Sequence, residues 1–148
     1  MRKLVLGVAA LCLSGMTAMA ADDPIAVRKT IMGSVGAAAG LSGGMMKGEV
    51  AYSPAAGKAA IATMAAAAAS FGTFFPEGTD TGDTTAAPKI WEDAAGFQAA
   101  LDKFAADAGA AMAASGKDGP ADIEAFKAAM GPVFGNCKSC HEAYRVKK

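Results

Sequence analysis

The sequence predicts an all-α protein, an antiparallel four-helix bundle, on three observations. Four segments repeat apolar residues at alternating three- and four-residue steps, the period of a helix with a buried face. Helix-start signals precede these runs and Gly-containing breaks separate them. No stretch alternates with period two for long enough to make a strand. Helices of this length, joined this way, pack as a bundle with room for a site between facing helices.

The first twenty residues stand apart from the bundle. Arg2 and Lys3 make a basic start, Leu4 to Leu13 an apolar run, and Ala18-Met19-Ala20 a small-residue cleavage site. This pattern is a secretory signal peptide over residues 1–20, cut after Ala20. Large Leu11 precedes Cys12 where a lipid attachment site would need a small residue, so Cys12 leaves with the leader. Residues 21–148 then suit one domain, exported to the periplasm. Without Arg2 and Lys3, the 14 basic and 14 acidic residues become 12 against 14, a net charge of −2. No strong basic field remains for nucleic acid. Thr30 to Met46 is uncharged, but it is glycine-rich and shorter than the ~20 apolar residues of a membrane span. The mature chain is therefore expected not to span a membrane.

Asp23-Pro24 gives the first helix an N-cap and a first-turn proline. Its stripe is Ile25, Arg28, Met32, Val35, Ala39, Ser42 and Met46; a second is Val27, Ile31, Ala38, Leu41 and Met45. A helix apolar on two sides sits between neighbours or faces another subunit. Ser53-Pro54 repeats the start signal, followed by Ile61, Met64, Ala68 and Phe71 in an alanine-dense run. The connection from Gly72 to Pro88 is long enough to cover a bound group. The third helix carries Ile90, Ala94, Phe97, Leu101, Phe104, Ala108 and Ala111 and stops at Ser115-Gly116. The fourth begins around Gly119-Pro120 and carries Ile123, Phe126, Met130, Val133, Cys137, Cys140 and Tyr144. Pro132 should kink or restart it.

Cys137-Lys138-Ser139-Cys140-His141 carries the chemistry. Cys-x-x-Cys-His is the attachment signature of c-type haem: two thiols bond the porphyrin and the imidazole becomes an axial ligand. On a helix the three side chains share one face. The chain has a single histidine, so the proximal ligand is fixed and a second imidazole is excluded. A zinc half-site would need further Cys or His ligands that the mature chain lacks. A thioredoxin-like pair would need a βαβ setting.

Cys137 to Arg145 resembles the end of cytochrome c′ and its low-spin relatives, the class II c-type cytochromes. Arg28 to Met32, Lys47-Gly48-Glu49 with Tyr52, and Pro76 to Trp91 are similar to the same family, so the resemblance spans residues 24–147. It implies a four-helix bundle with one covalent haem c per chain on its last helix, often paired as a homodimer through the first two helices. It also implies two kinds of member. Cytochrome c′ proper has five-coordinate iron and binds nitric oxide or carbon monoxide in an apolar pocket. The low-spin relatives place a first-helix methionine on the iron and carry electrons. The family's distal position, four residues after the first-helix arginine, falls on Met32.

Each residue also has a plainer reading. Met32 could fill core space like the other methionines, or ligate iron opposite His141, a pairing that raises the potential. Arg28 interrupts an apolar seam; it could lay its stem along the core with its head in water, or bond a haem propionate. Arg145 could hold the haem edge, screen His141 or form a surface ion pair. Phe75 and Trp91 could wall the porphyrin or be core. Gly36, Gly40 and Gly44 suggest close helix packing, at a dimer interface among other places. Lys147 and Lys148 form a solvated tail or steer an acidic redox partner. The resulting expectation is a one-electron carrier without substrate chemistry of its own, serving periplasmic or membrane redox proteins. The alternative is a five-coordinate gas-binding cytochrome c′.

Overall fold

The computed structural model describes residues 23–147; the expected signal peptide lies outside them. Helix α1 runs Pro24–Lys47, α2 Pro54–Ser70, α3 Lys89–Glu92, α4 Ala94–Ser115 and α5 Ile123–Tyr144. A 3-10 turn, Phe71–Phe74, extends α2 into the long connection. No strand forms among the described residues; the one extended contact is an isolated antiparallel bridge between Ala86 and Arg145.

The caps explain most boundaries. Asp23 accepts from the Ile25 N–H at 2.9 Å, Ser53 from Ala56 at 3.2 Å and Asp122 from Ala125 at 2.8 Å. Each satisfies a donor that the first helical turn leaves free. Gly48, at φ 76°, ends α1 in the left-handed conformation and donates to the Gly44 and Met45 carbonyls.

Three expectations about the later helices are corrected. The third segment is divided, because Asp93 leaves the helix and caps α4 through the Gly96 N–H at 3.1 Å. The apolar stripe crosses the break, which is why periodicity does not reveal it. The fourth helix begins at Ile123, since Asp122 offers a side-chain cap that Gly119-Pro120 cannot. Pro132 does not restart it: α5 continues from 123 to 144. The missing N–H deprives the Ala128 carbonyl of a partner, but both residues are exposed and water can serve.

The long helices α1, α2, α4 and α5 form the expected bundle. Helix α2 packs on α1 and α4, and α4 on α5, while α1 and α5 touch each other little. Ile61, Met64, Ala108, Phe126, Met130 and Val133 are fully buried at its centre. Ser42 and Ser115 are buried there with their hydroxyls donated to carbonyls one turn back, Ala38 and Ala111, both at 2.7 Å. The two-sided first helix is only half realised. Ala38 and Met45 of its second stripe are buried, whereas Leu41 is 39% exposed. The glycine stripe also divides. Gly44 packs against Val50, where a Cβ would lie 2.9 Å from Cγ2, but Gly36 and Gly40 are exposed with nothing within 4 Å of such an atom.

Candidate functional site

The C-terminal part of α5 extends a buried face through Phe126, Met130 and Val133 to Cys137, Cys140 and Tyr144. Both cysteines are half-buried and neither is in a disulfide. Burial pushes both thiols above their ordinary value, with Cys137 adding to the effect on Cys140. His141 reaches the surface. Partial desolvation, then the Arg145 charge, moves its imidazole below the ordinary value and toward the neutral form that can ligate a metal. Arg145 itself sits just beyond the helix on extended backbone, φ −127° and ψ 129°, near enough for its charge to act on His141. Its side chain is exposed.

Across the bundle, Arg28 does not reach water. It is 4% exposed, which overturns the reading of a head in solvent. Its guanidinium lies 4.7 Å from the Phe75 ring centroid and 5.9 Å from that of Trp91. Nη2 donates to the Thr79 carbonyl at 2.7 Å, whereas Nε and Nη1 have no hydrogen-bond partner. Desolvation lowers its pKa, Asp23 partly opposing, but guanidinium stays charged. A buried cation with two open donors is suited to an anionic ligand group.

Met32 follows one turn later and is half-buried. The other methionines of the described residues belong to the core: Met45, Met64 and Met130 within it, Met46 and Met112 packed against it. Met32 belongs to neither apolar cluster of the described residues.

Those clusters frame the site. The main one takes Val35, Ala38 and Ala39 from α1 and Met130, Val133 and Phe134 from α5. The second comprises Ile90, Phe97 and Leu101, with Phe71, Phe75, Ala86, Trp91 and Tyr144 around them. On α1, Met32 falls between Val35 and Arg28, which touches the second cluster; on α5, Cys137, Cys140 and His141 fall between Phe134 and Tyr144. Along both helices the candidate ligands thus fall between residues of the two clusters of the apolar core. A flat apolar group held by the two thiols, its acidic edge toward Arg28, would sit between those clusters. The residues fit a covalently held haem.

Phe75, Phe97 and Tyr144 form a chain of edge-on rings, with centroids 4.8 Å and 5.2 Å apart. A cavity of about 460 Å³ opens beside them, walled by Phe75, Ile90, Trp91, Phe97 and Leu101. Its walls come from the connection, α3 and α4 and include none of the thiols or His141, so it adjoins the site without being it. No group of three or more His, Cys, Asp or Glu side chains able to hold a metal ion occurs among the described residues.

Sequence reasoning missed the contacts that join the connection to both helices. Lys29 pairs with Asp83 at 2.5 Å, the Ala87 N–H donates to the Tyr144 carbonyl, and the Val146 N–H to the Thr85 carbonyl, both at 2.9 Å. The last two are backbone bonds, which side-chain patterns do not encode.

Comparison with known proteins agrees with this geometry. The family described as Cytochrome C' matches residues 23–145. The chain is 42% identical over 132 residues to cytochrome c' of Rhodopseudomonas palustris, covering 88% of this chain and 87% of the relative. It is 40% identical over 120 residues to cytochrome c-556 of Agrobacterium tumefaciens, covering 81% and 91%. The solved structure of the Rhodopseudomonas palustris cytochrome c' superposes with a TM-score of 0.76 at 40% identity, covering 86% of this chain and 99% of that one.

Proposed function

From the premise that this chain belongs to the cytochrome c′ family, whose proteins carry covalently attached c-type haem, we propose that it is a one-electron carrier with low-spin iron. Cys137 and Cys140 tether the cofactor, His141 is the proximal ligand and Met32 the distal one. Arg28 would offer an open N–H donor to a propionate. The observation that carries this reading is Met32: a half-buried methionine one turn from the buried Arg28 and outside both apolar clusters of the described residues. A methionine used for packing would sit within a cluster, as Met64 does.

The haem supplies the one-electron couple when bound, and the protein's part is to hold ligands still and keep water out. A thioether opposite an imidazole raises the potential relative to harder ligands. Phe75 and Trp91 shield the Arg28 end, and burial of Arg28 makes its bond to a carboxylate stronger than at the surface. On this reading the protein carries electrons and has no substrate chemistry of its own. The basic, apolar and small-residue pattern of residues 1–20 supports export to the periplasm, where periplasmic or membrane redox proteins would be its partners. No helix of the described residues is long and apolar enough to cross a membrane.

The second reading is a five-coordinate cytochrome c′ that takes nitric oxide or carbon monoxide. It is favoured by the 42% identity to a protein named cytochrome c'. Met32→Ala separates the two. It should turn a low-spin spectrum high-spin and open the iron to carbon monoxide. Met64→Ala, at a fully buried position, should cost about 2–5 kcal/mol of stability and leave the spectrum alone. An unchanged spectrum in Met32→Ala would remove sulfur as a ligand.

A further inference from the structure

The helices that carry Met32 and His141 touch each other only sparsely. Helix α1 rests on α2 and α5 on α4, and few residues of α1 and α5 meet directly. What joins them beside the site is the segment from Pro76 to Pro88. On its α1 side, the Thr79 carbonyl holds Arg28 at 2.7 Å and Asp83 holds Lys29 at 2.5 Å. On its α5 side, Ala86 and Arg145 form the antiparallel bridge, with bonds of 2.9 Å from Ala87 to Tyr144 and from Val146 to Thr85.

The segment is internally braced. Thr79 Oγ1 donates to the Pro76 carbonyl at 2.7 Å, Thr84 N–H to Gly82 at 2.9 Å, and Ala86 N–H to Thr84 Oγ1 at 3.1 Å. Gly82 turns the chain at φ 93° and passes close to Ile25 of α1. Trp91 Nε1 closes the base, donating to the Phe75 and Pro76 carbonyls at 3.3 Å each. A connection with bonds at both ends and within its turns acts as a spacer rather than a loose cover.

We propose that residues 76–88 set the separation of the two ligand-bearing helices, and that Lys29 and the Val146 backbone are positioning groups that hold the spacer taut. This rests on the axial-ligand reading above. Loosening the spacer would let α1 move relative to α5, so the distal thioether would be held less firmly and a diatomic gas would compete for its place. Neither anchor lies among the residues assigned to the cofactor.

The test uses the holoprotein carrying Lys29→Met together with a stop after Arg145, which removes the Lys29–Asp83 ion pair and the Val146 donor. Hydrogen exchange at the Ala87 amide reports the state of the spacer. The expected result is about tenfold faster exchange there. A high-spin fraction should appear in the spectrum, and carbon monoxide should bind the reduced protein about tenfold faster. In a Met32→Ala background the same changes should leave the spectrum where Met32→Ala alone puts it. Faster exchange with an unchanged spectrum and gas-binding rate overturns the proposal, and so does unchanged exchange, because the anchors then hold nothing. If the unmodified protein is already high-spin and indifferent to Met32→Ala, the ligand reading has failed. The gas-binding rate then decides the spacer: acceleration supports it and an unchanged rate refutes it.

Discussion

Replacing Arg28 with Met distinguishes a buried arginine that serves the fold from one that serves the cofactor. The side chain is 4% exposed, makes one hydrogen bond through Nη2, stacks on Phe75 and leaves Nε and Nη1 without partners. Its removal loses a charge-assisted hydrogen bond of about 1.5–3 kcal/mol and a cation–π contact of about 1 kcal/mol. It also relieves two buried donors that cost about 1–3 kcal/mol each when unpaired. If nothing else meets the guanidinium, these effects nearly cancel and the variant stays within about 1 kcal/mol of the parent. If a propionate occupies the open donors, nothing is relieved and a buried carboxylate is left unpaired, at about 3–5 kcal/mol. The loss is then about 5–9 kcal/mol, a fall of roughly 15 °C or more in the melting midpoint for a domain of this size. Urea and thermal unfolding of the holoprotein, followed by far-ultraviolet circular dichroism and the Soret band, measure it. A covalent cofactor stays attached throughout. Arg28→Lys, which keeps the charge but not the fork, should fall between. A change of under 1 kcal/mol in Arg28→Met would refute the propionate assignment.

Other regions give independent checks. The Asp107 carboxyl is held below its ordinary 3.8 by hydrogen bonds from Lys103 and then Asn136. Its folded value is depressed, so its contribution is full above 3.8 and disappears as pH falls through the folded value. Asp107→Asn should therefore lower the urea midpoint at neutral pH, by an amount that shrinks on acidification below 3.8. Gly36→Ala and Gly40→Ala add methyl groups that meet nothing within 4 Å on an exposed helix. Each should raise stability by about 0.8–1 kcal/mol in thermal melts. Destabilisation that deepens on dilution, with a change in sedimentation, would instead show this face packed on a second copy. Tyr52→Phe removes a 2.6 Å bond to the Pro120 carbonyl and should cost about 1 kcal/mol without altering the haem spectrum.

The bundle was legible because its signals are local. Asp23-Pro24 and Ser53-Pro54 are start signals whose geometry the chain itself supplies, and the stripe from Phe126 to Val133 becomes the fully buried face of α5. Where a non-periodic residue decided the outcome, the pattern misled. Asp93 breaks a helix across which Ile90, Ala94 and Phe97 keep perfect step, and Pro132 sits where an exposed face tolerates the lost bond. The site was legible in its chemistry but not in its arrangement. Cys-x-x-Cys-His needs only spacing to be read, and Arg28 announces itself as a charge on an apolar seam. Its burial against Phe75, with two donors left open, depends on a connection from distant sequence. The bridge from Thr85–Ala87 to Tyr144–Val146 is made of backbone groups, which every residue carries alike.

The most direct measurement is the optical spectrum of the purified holoprotein: oxidised, reduced, and reduced under carbon monoxide. Sharp low-spin bands, a far-red sulfur-to-iron band and little response to the gas are expected if Met32 occupies the sixth position. A broad high-spin spectrum that converts fully under carbon monoxide would contradict that ligation and make this protein a gas-binding cytochrome c′.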